Sequence, residues 1–85
     1  IVKIKMNNYR IYPNPTTGLL WLINSGVTGN SMISVYDANS RLVRKQYLTF
    51  NSDAEPLDLT DLEKGIYFLK LSLNGQVVTN KIVKL

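Results

Sequence analysis

The sequence predicts an all-β domain, an antiparallel sandwich of about seven short strands. Three observations predict it. Several short runs alternate apolar with polar residues, which is the period of a half-buried strand. Clusters of Gly, Pro, Asn, Asp and Ser interrupt these runs, and no helix of useful length is predicted between them. The 85 residues are 45% hydrophobic and 19% charged, the balance of one small folded domain.

The first half of the chain predicts four of these strands, over residues 9–12, 19–24, 32–37 and 41–49. Pro13 and Pro15 end the first strand, because proline lacks the N–H that a central ladder needs. Gly18 can take a positive φ on the way out of that turn. Alternation places Ile33 and Val35 on one face of the third strand.

The second half predicts three more strands, over residues 57–59, 65–73 and 76–85. The strand over residues 65–73 has the clearest alternation, with one face made of Tyr67, Leu69, Leu71 and Leu73. Asn74-Gly75 between two such runs is typical of a tight hairpin. Short antiparallel strands in this number predict an immunoglobulin-like β-sandwich. Gly65 is expected at a corner with no room for a Cβ atom, and Tyr67 is expected to anchor the core beside it.

The absence of cysteine and histidine excludes most side-chain chemistry. Disulfides, thiolate nucleophiles, common zinc sites, Ser-His-Asp triads and histidine general bases are all removed. Five acids lie within residues 51–64, but their spacing departs from that of a calcium-binding loop. We therefore expect no catalytic residue, no metal and no cofactor, and we predict that the domain is not an enzyme.

The net charge of +4 and the pI of about 9.5 raise the question of a polyanionic partner. The basic residues are spread over several predicted strands, without a Gly-rich loop or a basic and aromatic platform. Nucleic acid is therefore not an expected partner. No apolar run reaches the roughly 18 residues that cross a bilayer. The start at Ile1, with neither an initiator methionine nor a signal peptide, suggests a domain cut from a longer chain.

Trp21 is the one residue that suggests sugar binding, because an exposed indole can stack on a pyranose ring. It alternates with Leu20 and Leu22, so one of the two sets must face outward. We favour the interpretation that Trp21 fills the core, and the alternative leaves it on the surface.

Four stretches of the chain, taken in order, resemble a known family. Residues 12–18 read YPNPTTG, residues 34–43 read SVYDANSRLV, residues 57–71 read LDLTDLEKGIYFLKL, and the chain ends in KIVKL. Together they resemble the type A C-terminal sorting domain of proteins exported by the type IX (Por) secretion system of Bacteroidetes. The resemblance covers residues 10–85 and leaves residues 1–9 as the end of an upstream linker or a leading strand.

The resemblance implies a secretion signal that directs a larger cargo protein across the outer membrane and is normally cleaved off at the cell surface. Its implied partners are the type IX translocon, a sortase-like cell-surface peptidase and an upstream cargo domain in the same chain. Its implied location is the periplasm, in transit to the cell surface or the extracellular space. The alternative is an immunoglobulin-like carbohydrate-binding or adhesion module of a surface protein.

The same resemblance, read together with the residues, selects three groups of candidate site residues. The signature turn consists of Pro13, Asn14, Pro15 and Gly18, and the signature corner of Gly65, Ile66 and Tyr67. Recognition by the translocon is assigned to Lys81, Ile82, Val83, Lys84 and Leu85. We expect this last strand to offer an open backbone edge for strand addition, which would also permit an edge-paired dimer. Its register stays open, since an inward Ile82 would bring Lys84 to the same face.

One position departs from the family pattern. Ser40 stands where family members commonly place glycine, just before the strand that begins at Arg41. A positive φ costs serine more than glycine, so the geometry of this turn is in question.

Overall fold

The computed structural model describes residues 9–24, 29–50, 54–73 and 75–85. These contain seven strands: β1 (Tyr9–Tyr12), β2 (Leu19–Asn24), β3 (Gly29–Asp37), β4 (Leu42–Phe50), β5 (Ala54–Asp58), β6 (Gly65–Leu73) and β7 (Gln76–Lys84). The all-β prediction is confirmed. Most of the predicted linker over residues 1–9 lies outside the described residues.

The strand limits differ from the predicted ones chiefly at β3 and β5. β3 begins three residues early, at Gly29. β5 begins at Ala54 and contains Pro56, which the sequence had placed in a loop. Proline is tolerated there because β5 is an edge strand of its sheet.

The strands form two antiparallel sheets. The first sheet has the order β1-β2-β5 and the second the order β4-β3-β6-β7. Strands β3, β6 and β7 correspond to the C, F and G strands of an immunoglobulin domain, and β4 adds a fourth strand beside C. The immunoglobulin-like sandwich is therefore confirmed. None of the described residues forms a helix that could span a membrane.

The core lies between the inner faces of the two sheets. Leu20 and Leu22 of β2 are fully buried, as are Ile33 and Val35 of β3. The other core side chains are Leu57, Leu59, Tyr67, Leu69, Leu71 and Ile82. The predicted inner faces of β3 and β6 are confirmed as far as their side chains are described. Alternation succeeds here because each sheet has one buried face.

The β6–β7 hairpin sets the register of the last strand. Leu73 pairs with Gln76, and the pairing continues without interruption to Gly65 opposite Lys84. The predicted hairpin is confirmed, although Asn74 itself lies outside the described residues. Ile82 is fully buried and Lys84 is 9% exposed, so the two share the inner face. This settles the register that the sequence left open.

Candidate functional site

Residues 13–18 join β1 to β2, but they reach across to the last strand of the other sheet, and we call them the bridging segment. Asn14 Nδ2 donates to the Lys81 carbonyl at 2.7 Å, and the Val83 N–H donates to Asn14 Oδ1 at 2.9 Å. The carboxamide supplies one donor and one acceptor to the edge of β7. The Asn14 side chain therefore takes the place of a peptide group in a neighbouring strand.

Thr16 continues this pairing with its own backbone. Its N–H donates to the Val83 carbonyl at 2.9 Å, and its carbonyl accepts from the Leu85 N–H at 2.8 Å. The result is a parallel bridge between Thr16 and Lys84. Together with Asn14, it occupies the outward backbone groups along the end of β7.

The predicted open edge at residues 81–85 is therefore wrong. The bridging segment already satisfies the outward carbonyl of Lys81, both groups of Val83 and the N–H of Leu85. A receptor strand would have to displace the bridging segment before it bonded to this part of the backbone. The side chains of Lys81 and Leu85 remain exposed.

The Thr16 side chain fixes the path of the bridging segment. The residue is only 1% exposed. Its hydroxyl Oγ1 accepts from the Gly18 N–H at 2.9 Å and donates to the Leu19 carbonyl at 2.9 Å. A buried hydroxyl is tolerated because both its donor and its acceptor capacity are used.

Gly18 attaches the bridging segment to the turn that follows β5. Its carbonyl accepts from the Leu59 N–H at 2.7 Å. Its φ is +135°, and an added Cβ would lie 2.7 Å from both Cα and Cγ2 of Thr60. The predicted positive φ is confirmed, and the close approach of Thr60 gives a second reason why only glycine fits.

The turn at residues 58–64 is ordered by its own side chains. Asp58 Oδ1 accepts from the Thr60 N–H at 2.9 Å and from the Thr60 hydroxyl at 2.6 Å. These bonds, the hydroxyl's first, lower the pKa of the Asp58 carboxyl below its ordinary value. The Leu62 N–H donates to the Leu59 carbonyl at 3.0 Å and closes the turn.

Tyr67 anchors the start of β6, as predicted. The residue is 7% exposed, and its hydroxyl donates to the Glu63 carbonyl at 2.6 Å. A tyrosine at the corner between the fifth and sixth strands, bonded to backbone a few residues upstream, is typical of immunoglobulin-like sandwiches.

The prediction that Gly65 has no room for a Cβ atom is wrong. Apart from Gly65 and its two chain neighbours, no heavy atom of the described residues lies within 4 Å of the position such an atom would take. Glycine is favoured there by its φ of +152°, which side chains with a Cβ rarely adopt. Ile66 beside it is 40% exposed and contributes an apolar side chain to the surface.

Arg44 of β4 ties the second sheet to the same turn. Its Nη1 donates to the Asp58 carbonyl at 3.1 Å, and its Nη2 contacts both carboxylate oxygens of Asp61 at 2.5 and 2.6 Å. The guanidinium hydrogen bonds lower the pKa of the Asp61 carboxyl.

The five predicted recognition residues divide between the two faces of the strand. Ile82 and Lys84 are buried, whereas Lys81 is exposed, Leu85 is 67% exposed and Val83 is half-buried. Only the exposed members can be read by a partner while the domain stays folded.

Trp21 lies on the surface, so the interpretation that it fills the core is wrong. It is 37% exposed, and it pairs across the first sheet with Tyr12 on one side and Pro56 on the other. Alternation is obeyed, because Leu20 and Leu22 take the inner face. What failed was the expectation that a single tryptophan belongs to the core.

The turn between β3 and β4 has the geometry that the sequence put in question. Ser40 adopts a φ of +64°. Asp37 holds the turn, since its Oδ1 accepts from the N–H groups of Asn39 and Arg41 at 2.9 and 3.0 Å. Arg41 Nε adds an ion pair at 2.9 Å to Oδ2. These bonds, chiefly that from the Arg41 N–H, lower the pKa of the Asp37 carboxyl.

The signature turn and the predicted recognition residues meet in space. The signature corner is connected to the signature turn through contacts of Gly18 that the sequence did not reveal. The signature turn lies on the chain end, and Gly18 joins it to the turn that precedes the signature corner. Sequence reasoning missed Thr16 and Thr60 as members of this arrangement. The pair of Thr residues directly before Gly18 is a local signal for a side-chain-stabilised turn and would have indicated Thr16.

The arrangement consists of turns ordered by hydrogen bonds and of exposed side chains that could contact a partner. Across the described ranges, no three acidic side chains converge as they would around a metal ion.

Comparison with known families agrees with this arrangement. A family model described as "Secretion system C-terminal sorting domain" matches residues 10–85. No curated protein matches the chain.

Proposed function

This chain belongs to the secretion system C-terminal sorting domains and is a sorting signal for type IX secretion, and we propose that the translocon recognises it through the exposed side chains of its last five residues. The family is one of sorting signals and not of enzymes. In the proposal, residues 10–85 form the sorting unit, and residues 1–9 belong to the connection with an upstream cargo domain. The domain folds in the periplasm and passes with its cargo towards the cell surface. A sortase-like peptidase then removes it there.

The observation that carries the proposal is the pairing of the bridging segment with residues 81–85. Asn14 and Thr16 hold the backbone of Lys81, Val83 and Leu85 in an extended form. A side chain on a fixed backbone loses less conformational entropy when it is bound, so pre-ordering favours recognition. Lys81 and Leu85 project from this backbone as an exposed cation and an exposed apolar group.

The test uses residues 1–85 fused behind a periplasm-directed fluorescent protein in a type IX-competent host. Deletion of residues 81–85 would be ambiguous, because it also removes the partners of Asn14 and Thr16. The double variant Lys81→Ala, Leu85→Ala keeps every backbone bond and removes only exposed atoms. We expect the wild-type fusion to reach the medium or cell surface and the double variant to stay in the periplasm with an unchanged melting temperature.

A matched double variant on the far edge of the same sheet serves as the control. Lys45 and Tyr47 of β4 are exposed, and Lys45→Ala, Tyr47→Ala should leave export intact. Export of the Lys81→Ala, Leu85→Ala fusion at the wild-type level would contradict recognition through these side chains. A wild-type fusion retained in the periplasm would contradict the sorting function itself.

A carbohydrate-binding module is the second candidate, and the exposure of Trp21 favours it. Trp21 and its cross-strand neighbour Tyr12 place two partly exposed aromatic rings on the outer face of the first sheet. If this face binds sugar, titration with neutral oligosaccharides should shift the indole fluorescence, and Trp21→Phe should weaken the binding less than Trp21→Ala does. A flat titration removes this candidate.

A further inference from the structure

The uncovered part of the β7 edge lies directly before the part that the bridging segment covers. The outward backbone groups at the end of the strand belong to residues 81, 83 and 85. In an antiparallel strand each residue directs both groups to its partner or both away from it, in strict alternation. The β6–β7 register has no interruption, so Val77 and Thr79 also direct their N–H and C=O groups outward. β7 is the last strand of its sheet, and among the described residues the backbone pairing on its outward side comes from the bridging segment.

This stretch also lacks the protection that the other three edge strands show. Exposed edges usually contain charged residues or proline, which discourage pairing with other chains. Such residues occur at the other edges as Arg10 in β1, Arg44 and Lys45 in β4, and Glu55, Pro56 and Asp58 in β5. Residues 76–80 read QVVTN and contain neither charge nor proline. Val77 within this stretch is 57% exposed.

The surface beside this edge is basic. β6 and β7 contain no Asp or Glu, whereas Lys70 and Lys81 lie on their outer face. Lys70 pairs across the ladder with Thr79, and its Nζ lies 5.9 Å from the centroid of the Tyr36 ring. This contrasts with Arg41 and Arg44, each of which has a carboxylate partner within the chain.

A shallow cavity opens on the same face. It has a volume of about 360 Å³ and is lined by Tyr36, Ser40, Phe68, Lys70 and Thr79. An added strand would place its own outward side chains about 5 Å from those of β7, next to this cavity. A carboxylate on such a side chain would meet hydroxyl donors and an ammonium group there.

From these features we infer that an extended acidic segment of a translocation partner adds to the sheet at residues 76–80. Its backbone pairs with Val77 and Thr79, and an acidic side chain enters the cavity beside Lys70. The inference rests on the proposed sorting function and deepens it by naming the edge and the chemistry of the partner. The exposed side chains of residues 81–85 then continue the same contact surface.

The decisive variant is Thr79→Pro in the fluorescent fusion. The Thr79 N–H faces outward, so proline leaves the β6–β7 ladder intact while it removes a donor and blocks the incoming strand. We expect export to fall about tenfold, in proportion to the loss of one backbone hydrogen bond in a partner complex. The melting temperature of the isolated chain shows whether the variant is folded.

A charge pair keeps the inference testable if Thr79→Pro does not fold. Lys70→Glu reverses the charge beside the cavity, and Lys45→Glu makes the same change on β4, about 10 Å away across two strand spacings. We expect Lys70→Glu to reduce export and Lys45→Glu to leave it unchanged. Equal export of these two variants contradicts the acidic partner.

A photoreactive phenylalanine derivative at position 77 identifies the partner segment, and the same group at position 47 on β4 is the control. The expected product at position 77 is a cross-link to an Asp- or Glu-rich segment of one translocation protein. If the wild-type and a folded Thr79→Pro fusion are exported equally, the inference is wrong and the sorting function stands. If the wild-type fusion is retained, the sorting function fails and the inference fails with it.

Discussion

Two turns of this domain are each organised by one polar side chain, but in different surroundings. Thr16 lies in the bridging segment and is 1% exposed, and its hydroxyl bonds to the Gly18 N–H and the Leu19 carbonyl. Asp37 is partly exposed and orders the β3–β4 turn by accepting from Asn39 and Arg41. Removing a buried partner leaves polar groups without water, whereas the groups around Asp37 can be solvated. We therefore expect substitutions around the bridging segment to lower the free energy of unfolding strongly and substitutions at the β3–β4 turn to lower it only slightly.

Gly18→Ala is expected to have the largest effect. The new Cβ would lie 2.7 Å from the Thr60 backbone, and alanine would be strained at a φ of +135°. We expect the free energy of unfolding to fall by about 3 kcal/mol or more, measured by urea denaturation. Gly65→Ala is the matched control, because it has a similar φ and open space, and it should cost about 1 kcal/mol. Equal costs for the two variants would show that the contact with Thr60 does not limit this site.

Thr16→Val tests the buried hydroxyl without changing the shape of the side chain. The variant leaves the Gly18 N–H and the Leu19 carbonyl unpaired, so we expect a loss of about 1–3 kcal/mol. Thr17→Val is the control, because Thr17 is exposed next to it. It should change the stability by less than about 0.5 kcal/mol. If Thr16→Val is as stable as Thr17→Val, the buried Thr16 hydroxyl does not stabilise the fold.

The acid response of the exposed turns gives the third test. Arg44 lowers the pKa of Asp61 below the ordinary value of 3.8, so the folded domain binds the proton less readily than the unfolded chain. This carboxylate therefore stabilises the fold above about pH 4, and the contribution is lost as the pH falls through the lowered pKa. We expect Asp61→Asn to flatten the fall in urea midpoint between about pH 5 and pH 2. A variant whose midpoint falls as steeply as that of the wild type would exclude a contribution from the Arg44–Asp61 pair.

Ser40→Gly should have the smallest effect and the opposite sign. Ser40 adopts a φ of +64°, which glycine adopts without the steric cost of a Cβ. We expect the melting temperature to rise slightly, for a gain of about 0.5–1 kcal/mol. Ser40→Ala keeps the Cβ and should give no gain. A destabilised glycine variant would mean that the serine side chain itself supports the turn.

Local pattern was sufficient for much of the fold. Alternation located Ile33, Val35 and the inner face of β6, because a sheet with one buried face repeats every two residues. The same rule placed Leu20 and Trp21 on opposite faces of β2 but did not show which face lies inside. The interpretation that Trp21 fills the core was wrong for this reason.

The candidate site needed information that no local pattern holds. Gly18 and Tyr67 were found from turn chemistry and alternation. The bonds of Asn14 to Lys81 and Val83 join residues 67 and 69 positions apart, and the sequence near either end gives no sign of the other. The burial of Thr16 and the contact of Gly18 with Thr60 follow from that same long-range packing.

The long span of these bonds has a consequence for the order of events in the cell. Contacts between residues so far apart form only when the intervening chain has collapsed, because loop closure must precede them. The final residues therefore acquire their bonded form after both sheets have docked. A tail that is truncated or misfolded does not display this end in the same form. Because of the bridging segment, the last strand takes its bonded conformation only in a fully folded domain.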